Sequence, residues 1–150
     1  MASDSSSLSS YAPAIPSDVV VDDRTRDFVS RFYAVADDPG KNEEWVGYFA
    51  PGAVLVMGDK SAEGIEQIRQ LRQGMWDKVK ARKHKPEKLF LASFKPGETE
   101  WMLYGSLDLT TKDGKKQAIS WAGRAVVKEI EGQLKYTFYQ VYLHSKPADQ

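Results

Sequence analysis

The sequence predicts an α+β domain, with helices first and an antiparallel meander of strands after them. Three observations predict it. Apolar residues recur at helical spacing up to about His84 and at extended or alternating spacing beyond it. Two turn dipeptides, Asp113-Gly114 and Glu131-Gly132, divide the second half into hairpins. Helices and strands are segregated along the chain, which separates α+β from the alternating α/β pattern. Strands of about twelve residues or more need strong twist or bends, so the sheet is expected to curl around whatever it covers.

The elements follow in order. Phe28, Val29, Phe32, Val35 and Ala36 share one face of a first helix, capped by Ser17 or Asp22 and running to about Ala36, with Tyr33 at its edge. Asp37-Asp38-Pro39-Gly40 stops it, because proline and glycine disfavour its continuation. A short second helix over 42–49 turns Trp45, Val46 and Phe49 inward, and Pro51-Gly52 breaks it. The apolar run 53–57 reads as a strand and 58–62 as a loop. A long amphipathic helix then opens near Gly64. Ile65, Ile68, Met75, Trp76 and Val79 fall on its apolar stripe, and Arg72 falls in the middle of that stripe. His84 stands at the joint between this helix and a strand over 88–94. After a Lys95-Pro96-Gly97 turn, a strand over 100–111 alternates Trp101, Leu103, Leu107 and Leu109 with Met102, Tyr104, Ser106 and Asp108. Strands over 116–130 and 134–145 complete the meander.

A chain of 150 residues with 41% hydrophobic residues suits one domain with a real core. The expected division is a disordered or partner-pairing tail over 1–17, a domain over 18–146 and a frayed end over 147–150. Formal net charge is zero, so no global field draws in nucleic acid or an anionic membrane. Residues 78–88 hold six Lys or Arg, which reads as a solvated helix end. The absence of cysteine excludes disulfides, thiolate zinc sites and cysteine nucleophiles. No secretory signal, membrane-length apolar run, phosphate loop or metal-ligand motif is present, and a cytoplasmic protein without cofactor or metal is expected.

The segments AVADDPG, EEWVGYFAPGAVLVMG and EGIEQIR, in this order, resemble the nuclear-transport-factor-2-like superfamily and its SnoaL-like group. The resemblance spans about Asp22 to Ser145. It implies a cone: a strongly curved, mostly antiparallel sheet wrapped around about three N-terminal helices and a deep pocket. It also implies a homodimer paired through the sheet. Arg82-Lys83-His84 before a strand, followed by TEWMLYGSLDL, is similar to the layout of scytalone dehydratase, which implies a pocket histidine at His84. The second histidine of that enzyme has no counterpart; Tyr104 and Gly105 stand in its region.

His84 suits general acid/base work if it faces a pocket; otherwise it is a surface histidine at a helix end. Arg72 either binds a substrate carboxylate or enolate, or forms a structural ion pair with an acid such as Asp37 or Glu44. The resemblance implies an inward acid or tyrosine at the end of the first helix, here Asp37 or Tyr33, while Asp37-Asp38 before Pro-Gly is also ordinary turn chemistry. Asp108 is either on the solvent face or a buried acid. Phe32, Met75, Trp76, Tyr104, Trp121 and Phe138 are the candidate substrate-binding residues. Rings at alternate strand positions could equally form core or a dimer face. The expected function is a cofactor-free isomerase, cyclase or dehydratase, of the kind used on polyketides in secondary metabolism, acting on a small apolar oxygenated molecule. A non-catalytic ligand-binding or dimerisation module of the same fold is the alternative. Convergence of His84, Arg72 and an acid in one closed cavity separates the two.

Overall fold

The computed structural model describes residues 8–144. The element order is a 3-10 turn at Ser9–Tyr11, then α1 (Asp23–Ala36), α2 (Asn42–Val46), β1 (Phe49–Met57), β2 (Lys60–Glu63), α3 (Ile65–Gly74), β3 (Val79–Ala92), β4 (Glu98–Thr111), β5 (Lys116–Ile130) and β6 (Gln133–His144). The strands form one six-stranded sheet in the order β2-β1-β6-β5-β4-β3. Only β1 and β6 pair in parallel, so the sheet is mixed. This is the expected α+β cone, its sheet wrapped over α1 to α3.

Local chemistry sets the boundaries. Asp22 caps α1, its Oδ1 accepting the Thr25 N–H at 2.8 Å. Glu131 and Gly132 both take positive φ, 52° and 82°, which supplies the tight β5–β6 turn. The core is ring-rich: Phe32 packs edge-on against Tyr136 at 4.8 Å and Tyr139 at 5.4 Å. Phe32 and Trp45 on the helices, and Leu55, Trp101, Leu103 and Tyr136 on the strands, are all 1% exposed or less.

Three boundaries differ from expectation. The long helix ends at Gly74, and β3 begins already at Val79, so His84 lies inside a strand. Met75, Trp76 and Val79 continue the helical stripe by coincidence; pairing of β3 with β4 overrides it. The loop expected over 58–62 contains β2, a short edge strand on β1. The second helix stops at Val46, and Pro51-Gly52 sits inside β1, where the pairing with β6 shifts register between Phe49 and Val54. Of the expected tail, residues 1–7 lie outside the described residues, and 8–17 are not a free tail. Ala14 bridges to Lys88 on the outer edge of β3, and Tyr11 is buried. The expected frayed end over 147–150 also lies outside the described residues.

Candidate active site

α1 carries Asp37 to the site because its last turn is where the chain must stop. Asp37 is the C-cap of α1, and Asp38-Pro39-Gly40 directs the chain away. β3 carries His84 because Lys83 and Lys85 are exposed on one face of the strand while Arg82, His84 and Pro86 turn to the other. The two elements meet at one carboxylate. His84 Nδ1 lies 2.6 Å from Asp37 Oδ1, and the His84 backbone N–H donates to Oδ2 at 2.7 Å. One residue therefore holds both oxygens and fixes the carboxylate plane against the strand. The pair is largely dry, with side-chain exposures of 13% and 6%. A carboxylate accepts, so the neutral ring carries its proton on Nδ1 and presents Nε2 as a base.

The ring of His84 lines an apolar cavity of about 190 Å³ with Tyr33, Met75, Arg82, Leu107, Trp121 and Tyr139 among its walls. The volume is below that of drug-sized ligand sites, so a compact molecule fits. A larger depression of about 580 Å³ lies between α1 and the β5–β6 turn. Its rim includes the half-exposed, charged Arg24, Asp27 and Arg31, and Asp27 there is ion-paired with Arg31. The His84–Asp37 pair opens onto the smaller space.

Tyr33 is not the hydrogen-bond partner of His84. Its ring packs against the imidazole at 5.3 Å, and its hydroxyl meets the Tyr139 hydroxyl at 2.7 Å. Burial, then the neighbouring tyrosines, pushes the Tyr33 phenol well above its ordinary value, and burial raises Tyr139 as well. Gly123 makes room for this pair: a Cβ there would lie 3.1 Å from Leu103 and 3.3 Å from the Tyr139 ring.

Arg72, the expected electrostatic support, does not line this cavity. It is fully buried behind α1. Its Nε donates to Asn42 Oδ1 at 2.7 Å, Nη1 to the Ala36 carbonyl at 2.9 Å, and Nη2 to the carbonyls of Val35 at 3.3 Å and Asp38 at 2.9 Å. The guanidinium thus takes up the Ala36 carbonyl at the end of α1 and adds a second donor to the Val35 and Asp38 carbonyls, which already accept the Asp38 and Lys41 N–H groups, and it forms no ion pair with Asp37 or Glu44. Burial, and secondly the charge of Arg82, pushes its pKa down to about 10.

The arginine that faces the cavity is Arg82. Its guanidinium lies over the Trp76 ring at 5.1 Å and donates to the Met75 carbonyl. Its Nε is buried with no hydrogen-bond partner. Burial lowers its pKa, opposed by the Asp37 carboxylate, and it remains a cation at neutral pH. Sequence reasoning counted Arg82 within a solvated basic run; the alternation of Arg82 and His84 with Lys83 and Lys85 was the signal for its inward side.

Phe32, Met75 and Trp121 line the cavity as expected. Trp76 does not line it; it lies between the two arginines, 5.3 Å from Arg72 and 5.1 Å from Arg82. Tyr104 and Phe138 point to the outer sheet face, where Tyr104 stacks on Phe90 and Phe138 lies under Arg124. Asp108 and His144 are exposed. Among the described residues no group of three or more His, Asp or Glu is gathered as metal ligands would be. No described helix is long and apolar enough to cross a membrane.

No family model and no curated protein matches the chain. Solved structures do. A protein assigned as an aromatic ring hydroxylase from Novosphingobium aromaticivorans superposes with a TM-score of 0.74 at 15% identity, covering 82% of this chain and 91% of that one. A protein assigned as a scytalone dehydratase, from the same species, gives 0.73 at 10% identity over 85% and 92%. Hexachlorocyclohexane dehydrochlorinase LinA-type3 from Novosphingobium barchaimii gives 0.71 at 12% identity over 83% and 89%. At such identities the likeness establishes the fold: this chain has the nuclear-transport-factor-2-like, SnoaL-like layout.

Proposed function

We propose that the protein is a cofactor-free enzyme that moves a proton on a compact, apolar, oxygenated molecule, by isomerisation, cyclisation or loss of water. The observation that carries this reading is the 2.6 Å contact of His84 Nδ1 with Asp37, with the same ring on the wall of an apolar cavity. Asp37 orients the imidazole and balances the imidazolium that forms when Nε2 takes a proton from carbon. The electrons of that C–H bond move toward a carbonyl oxygen, where Arg82 supplies a cationic donor. In an isomerisation the proton returns to another carbon. In a dehydration it leaves with the departing hydroxyl as water. Dehydratase and dehydrochlorinase names among the structural neighbours support elimination chemistry on this fold.

Supporting a homodimer is the outer sheet face, where Phe90, Met102, Tyr104 and Tyr142 are 38–52% exposed. That face also favours the second reading, a module whose role is association or ligand carriage. Cytoplasmic residence and a role in secondary metabolism belong to the proposal.

Hydrogen–deuterium exchange separates the readings. The protein is incubated in deuterated water with compact cyclic ketones and hydroxy ketones, and deuterium uptake is read by mass spectrometry. The expected result is carbon-bound exchange by the wild type that drops roughly 10²–10⁴-fold in His84→Gln and Asp37→Asn. Equal exchange in wild type and both variants, with a ligand still retained, would leave the carrier module.

A further inference from the structure

The apolar cavity has an outer neighbour. A depression of about 460 Å³ lies between the β1–β2 turn and the segment joining α3 to β3. Met57, Met75, Arg82 and Leu143 stand on the walls of both spaces. The two therefore adjoin across a neck of three apolar side chains and one guanidinium. The inner space is otherwise lined by rings and aliphatic side chains, whereas the outer one adds Asp59, Lys60, Asp77 and Lys78. Those four cancel in charge, so the rim selects neither sign. Leu143 is 52% exposed, an apolar side chain left at the mouth.

Arg82 is largely withdrawn from water, yet among the described residues it makes no ion pair. Asp37, the acid of the same site, gives both its oxygens to His84. The guanidinium donates to the Met75 carbonyl, and its buried Nε has no partner. A desolvated cation without a counter-ion is costly, and a buried donor without an acceptor adds to the cost. An anionic oxygen arriving from outside removes both.

We infer that the two spaces form one binding site and that its ligand is a compact apolar acid, with its body in the inner cavity and its carboxylate on Arg82 at the neck.

The inner space limits the body to a small ring or a short branched chain. Arginine suits the neck because its planar fork matches a carboxylate and it keeps its charge in a dry site. With one donor spent on Met75, others remain for a carbonyl or hydroxyl oxygen beside the carboxylate. The substrate class is therefore a small oxo or hydroxy acid. Met57 and Met75 flank the neck, and unbranched thioether side chains adapt to a passing ligand.

The substrate class rests on the catalytic reading proposed above, but the test is of binding. The chain is labelled with carbon-13 at the methionine methyls. Met57 and Met75 report the neck, and Met102, on the outer sheet face, is the internal control. Cyclohexanecarboxylate is titrated at neutral pH against its neutral isostere, cyclohexanecarboxamide. The acid is expected to move the Met57 and Met75 methyls, leave Met102 in place and bind about tenfold or more tightly than the amide. In Arg82→Leu the preference for the acid should vanish, and Arg82→Lys, which keeps the charge and loses the fork, should retain part of it. Equal affinity of acid and amide for the wild type, no binding of the acid, or acid binding that moves only Met102 overturns the inference whether or not the variants fold. A preference that survives in Arg82→Leu overturns it too. An acid preference with no deuterium exchange on any oxo or hydroxy acid would remove the catalytic reading and leave the site. Exchange on neutral ketones without an acid preference would do the opposite.

Discussion

Arg72 and Arg82 stand ten positions apart, near opposite ends of one turn, and both are largely withdrawn from water. Arg72 gives each of its nitrogens a partner, four acceptors in all, none of them charged. Arg82 leaves its Nε without one and turns to the cavity. The difference teaches how to read a buried cation. A guanidinium whose donors are all satisfied by acceptors of the fold is scaffold, because removing it takes those bonds out of the core. A guanidinium with a buried donor in reserve is poised for an acceptor brought from outside.

The largest effect should come from breaking the scaffold side. Arg72→Ala removes four buried hydrogen bonds, takes the guanidinium donor from the Ala36 carbonyl and empties the space of a large buried side chain, and should lower stability by about 3–5 kcal/mol. Urea titration measures it, and a loss below about 1 kcal/mol would erase the contrast. Arg82→Met should do the reverse. It keeps an apolar stem over Trp76 and removes one bond to the Met75 carbonyl, so stability should move by only about 1 kcal/mol. Deuterium exchange on a compound turned over by the wild type should fall about 10²–10³-fold, as for loss of an oxyanion donor. Comparable destabilisation in both variants would make Arg82 scaffold too.

The smallest effect asks whether the cavity wall beside Arg82 is as dry as the niche of Arg72. The folded-state values of Tyr33 and Tyr139 are raised, so both phenols bind their protons more tightly folded than unfolded. Their contribution is complete below the ordinary tyrosine value of about 10 and is lost as pH climbs above it. The Tyr33→Phe, Tyr139→Phe double variant should cost about 1 kcal/mol at neutral pH and lose stability less steeply in alkali. The arginines titrate in both proteins and cancel in the difference. Parallel alkaline melts would mean that water reaches the pair.

Much of this was legible beforehand, and the parts that were not share a cause. The first helix and both hairpin dipeptides are local signals and were read correctly, and of the two caps offered, Ser17 and Asp22, the structure uses Asp22. His84 and Asp37 were both named, but their pairing spans 47 positions and only the fold supplies it. Arg72 stood out as an arginine in an apolar stripe, yet what it faced was the end of another helix. The start of β3 was missed because Met75, Trp76 and Val79 mimic helical spacing while β4 claims the backbone. The docking of residues 8–17 was missed because a Ser-, Ala- and Pro-rich segment offers little to bury; one ring, Tyr11, and one backbone bridge at Ala14 hold it.

His84 and Asp37 hang on β3 and the end of α1, whereas Leu107, Leu109, Ile119 and Val141 reach the same cavity from β4, β5 and β6. Under the proposed catalytic reading, reactivity and fit have separate addresses in the chain. Trading one aliphatic wall residue for another reshapes what enters without disturbing the proton-handling pair. A library confined to those four positions would explore substrate range at nearly constant chemistry, the kind of modularity on which divergence of one scaffold into many activities depends.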